Sequence, residues 1–173
     1  MIAYLSALQH VLDNLNHAQI NKVVKLLEGS KNVYVVGNGG SHSTAEHFAT
    51  DLIKFGNKKA YTLSNLAQLT MAANDYTYEH SFSWLLRKYC QQDDVVIGIT
   101  TSGASANVLR SVFFDVRVKT VFITGANGHY MAKKADSAII IPTTNTQLIE
   151  DVSLILCHII TKQLEERKKK CQK

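Results

Sequence analysis

The segment VVGNGGSHSTAEHFATDL, residues 35–52, decides how the chain is read. An apolar run ends at Gly37, three glycines and two serines follow within seven residues, and a helical pattern starts at once. A turn of this kind between strand and helix suits an anion, because the first backbone N–H groups of a helix lack partners and the helix dipole adds positive potential there. The pattern occurs twice. DVVIGI (94–99) runs into TTSGASANV (100–108), so a second strand delivers glycine, serine and threonine to the start of a helix. Hydroxyls of Thr100, Thr101, Ser102 and Ser105 would add directional donors without burying a permanent positive charge, which fits a phosphate ester. Ser and Thr also cap helices, and one such loop alone would be read that way. Two matched loops favour two halves of one pocket.

Working outward, NVYVV (32–36), KAYTL (59–63), DVVIGI, KTVFIT (119–124) and SAIII (137–141) are short, β-branched and nearly continuous in hydrophobicity. Stretches of helical periodicity separate them, which predicts parallel strands buried on both faces. The expected fold is α/β, a three-layer αβα sandwich with a five-stranded parallel sheet and six or seven helices. Ligands in such sheets sit beyond the carboxyl ends of the strands. Apolar residues at helical spacing from Ile2 to about Leu27, with a break near Asn16, predict a helical region ahead of the first strand.

At 173 residues the chain is expected to form one domain. Cys90, Cys157 and Cys171 are odd in number and far from CxxC spacing, which suits a reduced compartment, the cytoplasm, and argues against a structural zinc knuckle. The amino end is apolar for only a few residues, so neither a signal peptide nor a membrane span is expected. The formal charge of +5 is concentrated in TKQLEERKKKCQK (161–173), where six residues are basic and two acidic. The rest of the chain is nearly neutral, without a basic stripe interleaved with aromatics, and nucleic acid is not expected as a partner. A triphosphate-binding P-loop would need Lys before Ser or Thr after its glycines, and a dinucleotide fingerprint would need glycine where His42 stands. A single phosphoryl group fits the loops better.

The combination of GNGGS (37–41), ANDYTYEHSF (73–82), TSGASANV (101–108) and a late CHII (157–160) resembles the sugar isomerase (SIS) domain, and within it the phosphoheptose isomerases. The resemblance covers about residues 33–165. It implies an aldose–ketose isomerisation between sedoheptulose 7-phosphate and D-glycero-D-manno-heptose 7-phosphate, a homotetramer with interfacial active sites, and a zinc ion near the substrate. By the same resemblance Asn38, Gly39, Gly40 and Ser41 match the first substrate loop, Thr100, Thr101, Ser102 and Ser105 the phosphate loop, and Asn74 with Asp75 a pair near the sugar. His47 matches a metal-binding histidine, and His158 one that is acid/base and metal ligand. Two positions depart: Asp51 stands where the family has a catalytic Glu, and Glu150 where it has Gln. The family's Arg soon after that Glu is missing, with Lys54 the nearest substitute.

His47 and Asp51 are four residues apart on one helix and share a face. Glu150 and His158 are eight apart, about 12 Å along a helix at ~1.5 Å per residue, so a shared metal would lie midway or draw them from different subunits. A joint site of His47, Asp51, Glu150 and His158 is expected, with His158 and one of the carboxylates, Asp51 or Glu150, sharing proton transfer. The competing reading is a SIS protein without catalysis that binds a sugar phosphate or a regulatory partner.

Overall fold

In the computed structural model, which describes residues 2–115 and 117–171, five parallel strands lie in the order β2-β1-β3-β4-β5. They are β1 Asn32–Val36, β2 Lys59–Thr62, β3 Val95–Thr100, β4 Lys119–Gly125 and β5 Ser137–Ile141. Two helices precede the sheet, α1 Ile2–Asp13 and α2 His17–Glu28. Asn16 separates them because its side chain accepts hydrogen bonds from the N–H groups of Ala18 and Gln19, an N-cap that starts a new helix. Then follow α3 Gly40–Lys54, α4 Leu66–Asp75, a 3-10 turn at Tyr78–His80, α5 Ser81–Tyr89, α6 Ala106–Val112, the single turn α7 His129–Ala132, and α8 Thr146–Cys171. The eight α-helices among the described residues exceed the expected six or seven because short segments such as α7 carry too few residues for a periodic signal. Helix α8 ends in the lysine run, with Lys168, Lys169 and Lys170 in its last turn, while residues 172–173 of the basic tail lie outside the described residues.

Strand side chains alternate between two cores. Val33, Val35, Ile97 and Ile123 face a layer built by α1, α2, α3 and α8, including Phe48, Leu52, Leu156 and Ile160. Tyr34, Val36, Val96 and Phe122 face the layer of α4 to α7, including Phe82, Leu86 and Val108. Burial on both faces is why these strands read as continuous apolar runs.

The strand order fixes where a ligand crevice opens. From β1 the chain passes through α3 to the edge strand β2, then returns across the sheet to β3, which pairs with β1 on its other side. Helix α3 leaves β1 toward one face and α6 leaves β3 toward the other, so the ends of β1 and β3 form a topological switch point. Helix α6 sits close to β3 because Gly98 has no side chain: a Cβ there would lie 2.5 Å from Val112 Cγ2 and 3.0 Å from Val108 Cγ1. Gly98→Ala is therefore expected to cost about 1–3 kcal/mol in urea unfolding, as overpacked sites do, by lifting α6 from the sheet.

Candidate active site

At the end of β1, Gly37 admits the first turn of α3, since a Cβ at Gly37 would come within 2.7 Å of the Ser41 carbonyl oxygen. Gly39 takes φ 53°, ψ −125°, a conformation open to glycine, and stands at the N-cap of α3 with no side-chain cap. Over the helix entrance lies Glu150 from the start of α8. A Cβ on Gly40 would be 2.5 Å from Glu150 Oε1 and 3.3 Å from Oε2, so the carboxylate occupies space that any other residue at 40 would fill.

The second loop leaves β3 at Thr100. Ser105 is the N-cap residue of α6, yet its hydroxyl does not cap the helix; it pairs with Thr100 Oγ1 at 3.1 Å. Ser102 Oγ accepts from the Ala104 N–H, and Gly103, at φ 69°, packs so tightly that a Cβ would meet Gly128 Cα at 2.3 Å. The Ser and Thr residues are thus held as a hydroxyl-lined turn.

The two loops are joined by a contact that the sequence reading did not single out. Asn38 and Asn107 exchange amide hydrogen bonds in both directions, each at 2.8 Å, and the Tyr78 hydroxyl donates to Asn38 Oδ1 at 2.9 Å. Asn107 lies within the motif used for the resemblance but looks like an ordinary first-turn residue, and Tyr78 stands in a turn with no periodic pattern. Asn74 and Asp75, at the end of α4, pair with each other at 3.0 Å, four and three residues before Tyr78.

Two turns along α3 from Gly40, His47 Nε2 stands 3.0 Å from His158 Nε2, and Asp51 Oδ2 is 3.3 Å from the first and 3.5 Å from the second. Helices α3 and α8 run side by side in one direction, which brings residues 111 apart in sequence together. The three ligand atoms all lie within 4.8 Å of one another. Two imidazoles and a carboxylate are a donor set suited to zinc, with room for a fourth ligand. Cys157, next to His158, faces the core; burial above all, with the Asp51 charge adding to it, pushes its thiol pKa up and keeps it a protonated core residue. Of the four residues expected as a joint site, three therefore meet within one chain. Glu150 is at the first loop instead, because an eight-residue step along α8 carries it two turns away from His158.

Both imidazoles are half exposed, while Asp51 is 13% exposed. Asp51 and His158 border an open groove of about 570 Å³ shared with Phe55, Ile159 and Thr161. Ile53 and Phe55 are exposed nearby, and Lys54, offered as the stand-in for the family's Arg, lies over the Phe55 ring at 4.8 Å. Helix α1 leaves Ile2 and Leu5 largely in solvent and is tied to α8 by Tyr4, whose hydroxyl donates to Asp151 at 2.6 Å, a bond that raises the phenol pKa. Among the described residues no helix is long and apolar enough to cross a membrane.

The SIS domain family model matches residues 2–113. Phosphoheptose isomerase of Helicobacter pylori is 33% identical over 175 residues, covering 95% of this chain and 91% of the other, and that of Leptospira biflexa is 39% identical over 156 residues, covering 82% and 80%. The solved structure of phosphoheptose isomerase GmhA from Neisseria gonorrhoeae superposes with a TM-score of 0.86 at 26% identity, covering 94% of this chain and 96% of that one. The chain belongs to the SIS domain family, and within it to the phosphoheptose isomerases.

The geometry of the histidine pair gives a direct test. His158→Ala removes one of three donors and is expected to lower zinc affinity at least about ten-fold, measured by competition with a chromophoric chelator.

Proposed function

We propose that the protein is a phosphosugar aldose–ketose isomerase that interconverts sedoheptulose 7-phosphate and D-glycero-D-manno-heptose 7-phosphate, working as a homotetramer in the cytoplasm. The observation that carries this reading is the pair of glycine- and hydroxyl-rich loops joined at the switch point, with the Glu150 carboxylate set over one of them. The phosphoheptose isomerases among its relatives supply the substrate class. Unpaired Cys90 and Cys157 agree with a reduced compartment.

In this reading Thr100, Thr101, Ser102 and Ser105 hold the phosphoryl group, and Asn38, Gly39, Gly40, Ser41, Asn74 and Asp75 hold the sugar. Isomerisation moves a hydrogen between C1 and C2, which needs one group to take a proton from carbon and another to serve the oxygens. Glu150 reaches the sugar loop within its own chain. Asp51 lies eleven residues along α3 from Gly40, about 16 Å at ~1.5 Å per residue, and would meet the sugar only across a subunit boundary. Glu150 is accordingly the carboxylate that takes the carbon proton, His158 serves the oxygens from a neighbouring subunit, and Asp51 with His47 and His158 would hold zinc. Bound there, zinc would supply Lewis-acid stabilisation of negative charge on the sugar oxygens. The half-exposed imidazoles beside Ile53 and Phe55, and the uncovered apolar residues of α1, support completion of the site by a second copy.

Solvent-deuterium exchange into the sugar phosphate tests the assignment. Glu150→Gln should stop exchange while phosphate binding persists; Asp51→Asn should lower zinc content. If Asp51→Asn stops exchange at full zinc occupancy while Glu150→Gln leaves it intact, Asp51 is the base and the assignment to Glu150 is wrong. The phosphate loop has its own check. Replacing Ser102 and Ser105 together with Ala should weaken ketose-phosphate binding at least ten-fold by calorimetry, since each charge-assisted hydrogen bond is worth ~1.5–3 kcal/mol.

A further inference from the structure

We propose that Tyr78, Asn38 and Asn107 form a clasp that positions the sugar, holding the Asn38 amide in one orientation and leaving one of its N–H bonds for a substrate hydroxyl. The inference rests on the reading of the two loops as a sugar-phosphate cradle. A carboxamide has nearly the same shape after a half-turn, so only its partners decide which end is oxygen. Here the chain of partners begins at a group with no choice: the Val108 backbone N–H can only donate, and it lies 3.0 Å from Asn107 Oδ1. That fixes the Asn107 amide. Its Nδ2 then donates to Asn38 Oδ1 at 2.8 Å, and Asn38 Nδ2 returns a bond of 2.8 Å to Asn107 Oδ1.

The Tyr78 hydroxyl, 2.9 Å from Asn38 Oδ1, must therefore donate to it. Asn38 Oδ1 now accepts two hydrogen bonds, its full capacity, and Asn38 Nδ2 retains a single N–H beyond the pair. This fixed donor stands in the loop that leads into Gly39 and Gly40. The relay runs from Asn107, 2% exposed, to Tyr78, 55% exposed, so its outer member sits where a ligand arrives. Tyr78 and Asn107 are positioning residues, acting on the sugar through Asn38.

The test is a double-mutant cycle on the full-length protein with sedoheptulose 7-phosphate. Tyr78→Phe removes one oxygen from an exposed ring, and its melting temperature should stay at the wild-type value. KM is expected to rise about five-fold with a much smaller change in kcat, as the loss of one hydrogen bond implies. In an Asn38→Ala background the same change should have no further effect on KM, because the residue through which Tyr78 acts is gone. A wild-type KM for Tyr78→Phe, or effects that multiply in the double variant, would overturn the clasp while leaving the cradle in place. Failure of the wild-type protein to bind the sugar phosphate by calorimetry would overturn the cradle and the clasp together.

Discussion

The pairing of β1 with β3 is the constraint on which the rest of the molecule depends. These strands are separated by α3, β2, α4 and α5 in sequence but hydrogen-bonded as neighbours in the sheet, in register from Val33 opposite Val95 to Val36 opposite Gly98. Because the chain turns outward after β1 and back before β3, α3 and α6 leave on opposite faces. The loops at their entrances then meet with no helix packed between them, close enough for Asn38 and Asn107 to share two hydrogen bonds. An open end between diverging helices is available for a ligand without any distortion of the sheet.

The second organising contact is the packing of α3 against α8. Phe48, Leu52, Leu156 and Ile160 are fully buried in the layer these helices share, and this apolar seam sets the axial position of one helix against the other. The polar residues along its edge follow from that position: Glu150 comes to rest over Gly40, and His158 beside His47 and Asp51. Two chemically different sites therefore share one scaffold, a carboxylate at the glycine loop and a nitrogen-rich cluster two turns away.

Much of this was legible in the sequence. Continuous β-branched runs marked β1, β3, β4 and β5, whereas the edge strand β2 carries one β-branched residue, Thr62, and leaves Lys59 and Tyr61 exposed instead of buried on both faces as expected. Asn16 marked the break between α1 and α2 through its capping chemistry. The two glycine–hydroxyl loops could be recognised because strand, turn and helix signals follow one another without a gap. What was not legible is what depends on packing between distant segments. Spacing along α3 places Asp51 with His47, but nothing local says that His158, 111 residues later, joins them while Glu150 does not. The Asn38–Asn107 pair spans 69 residues, and the Tyr78 contact with Asn38 spans 40, so each is a product of strand order rather than of any short pattern.

Helix α3 also behaves as a graduated rod. Its first residue, Gly40, lies under the Glu150 carboxylate and its eighth, His47, stands in the histidine cluster, so the interval between them is set by helical rise at about 10 Å. An added or lost residue in this interval would lengthen or shorten it by only ~1.5 Å but would swing everything beyond through about 100°. His47 and Asp51 would then point away from α8, and Phe48 and Leu52 would leave the core. A change of length in the middle of α3 would therefore uncouple the two sites, whereas one in the connections beyond its ends would leave the interval between them intact.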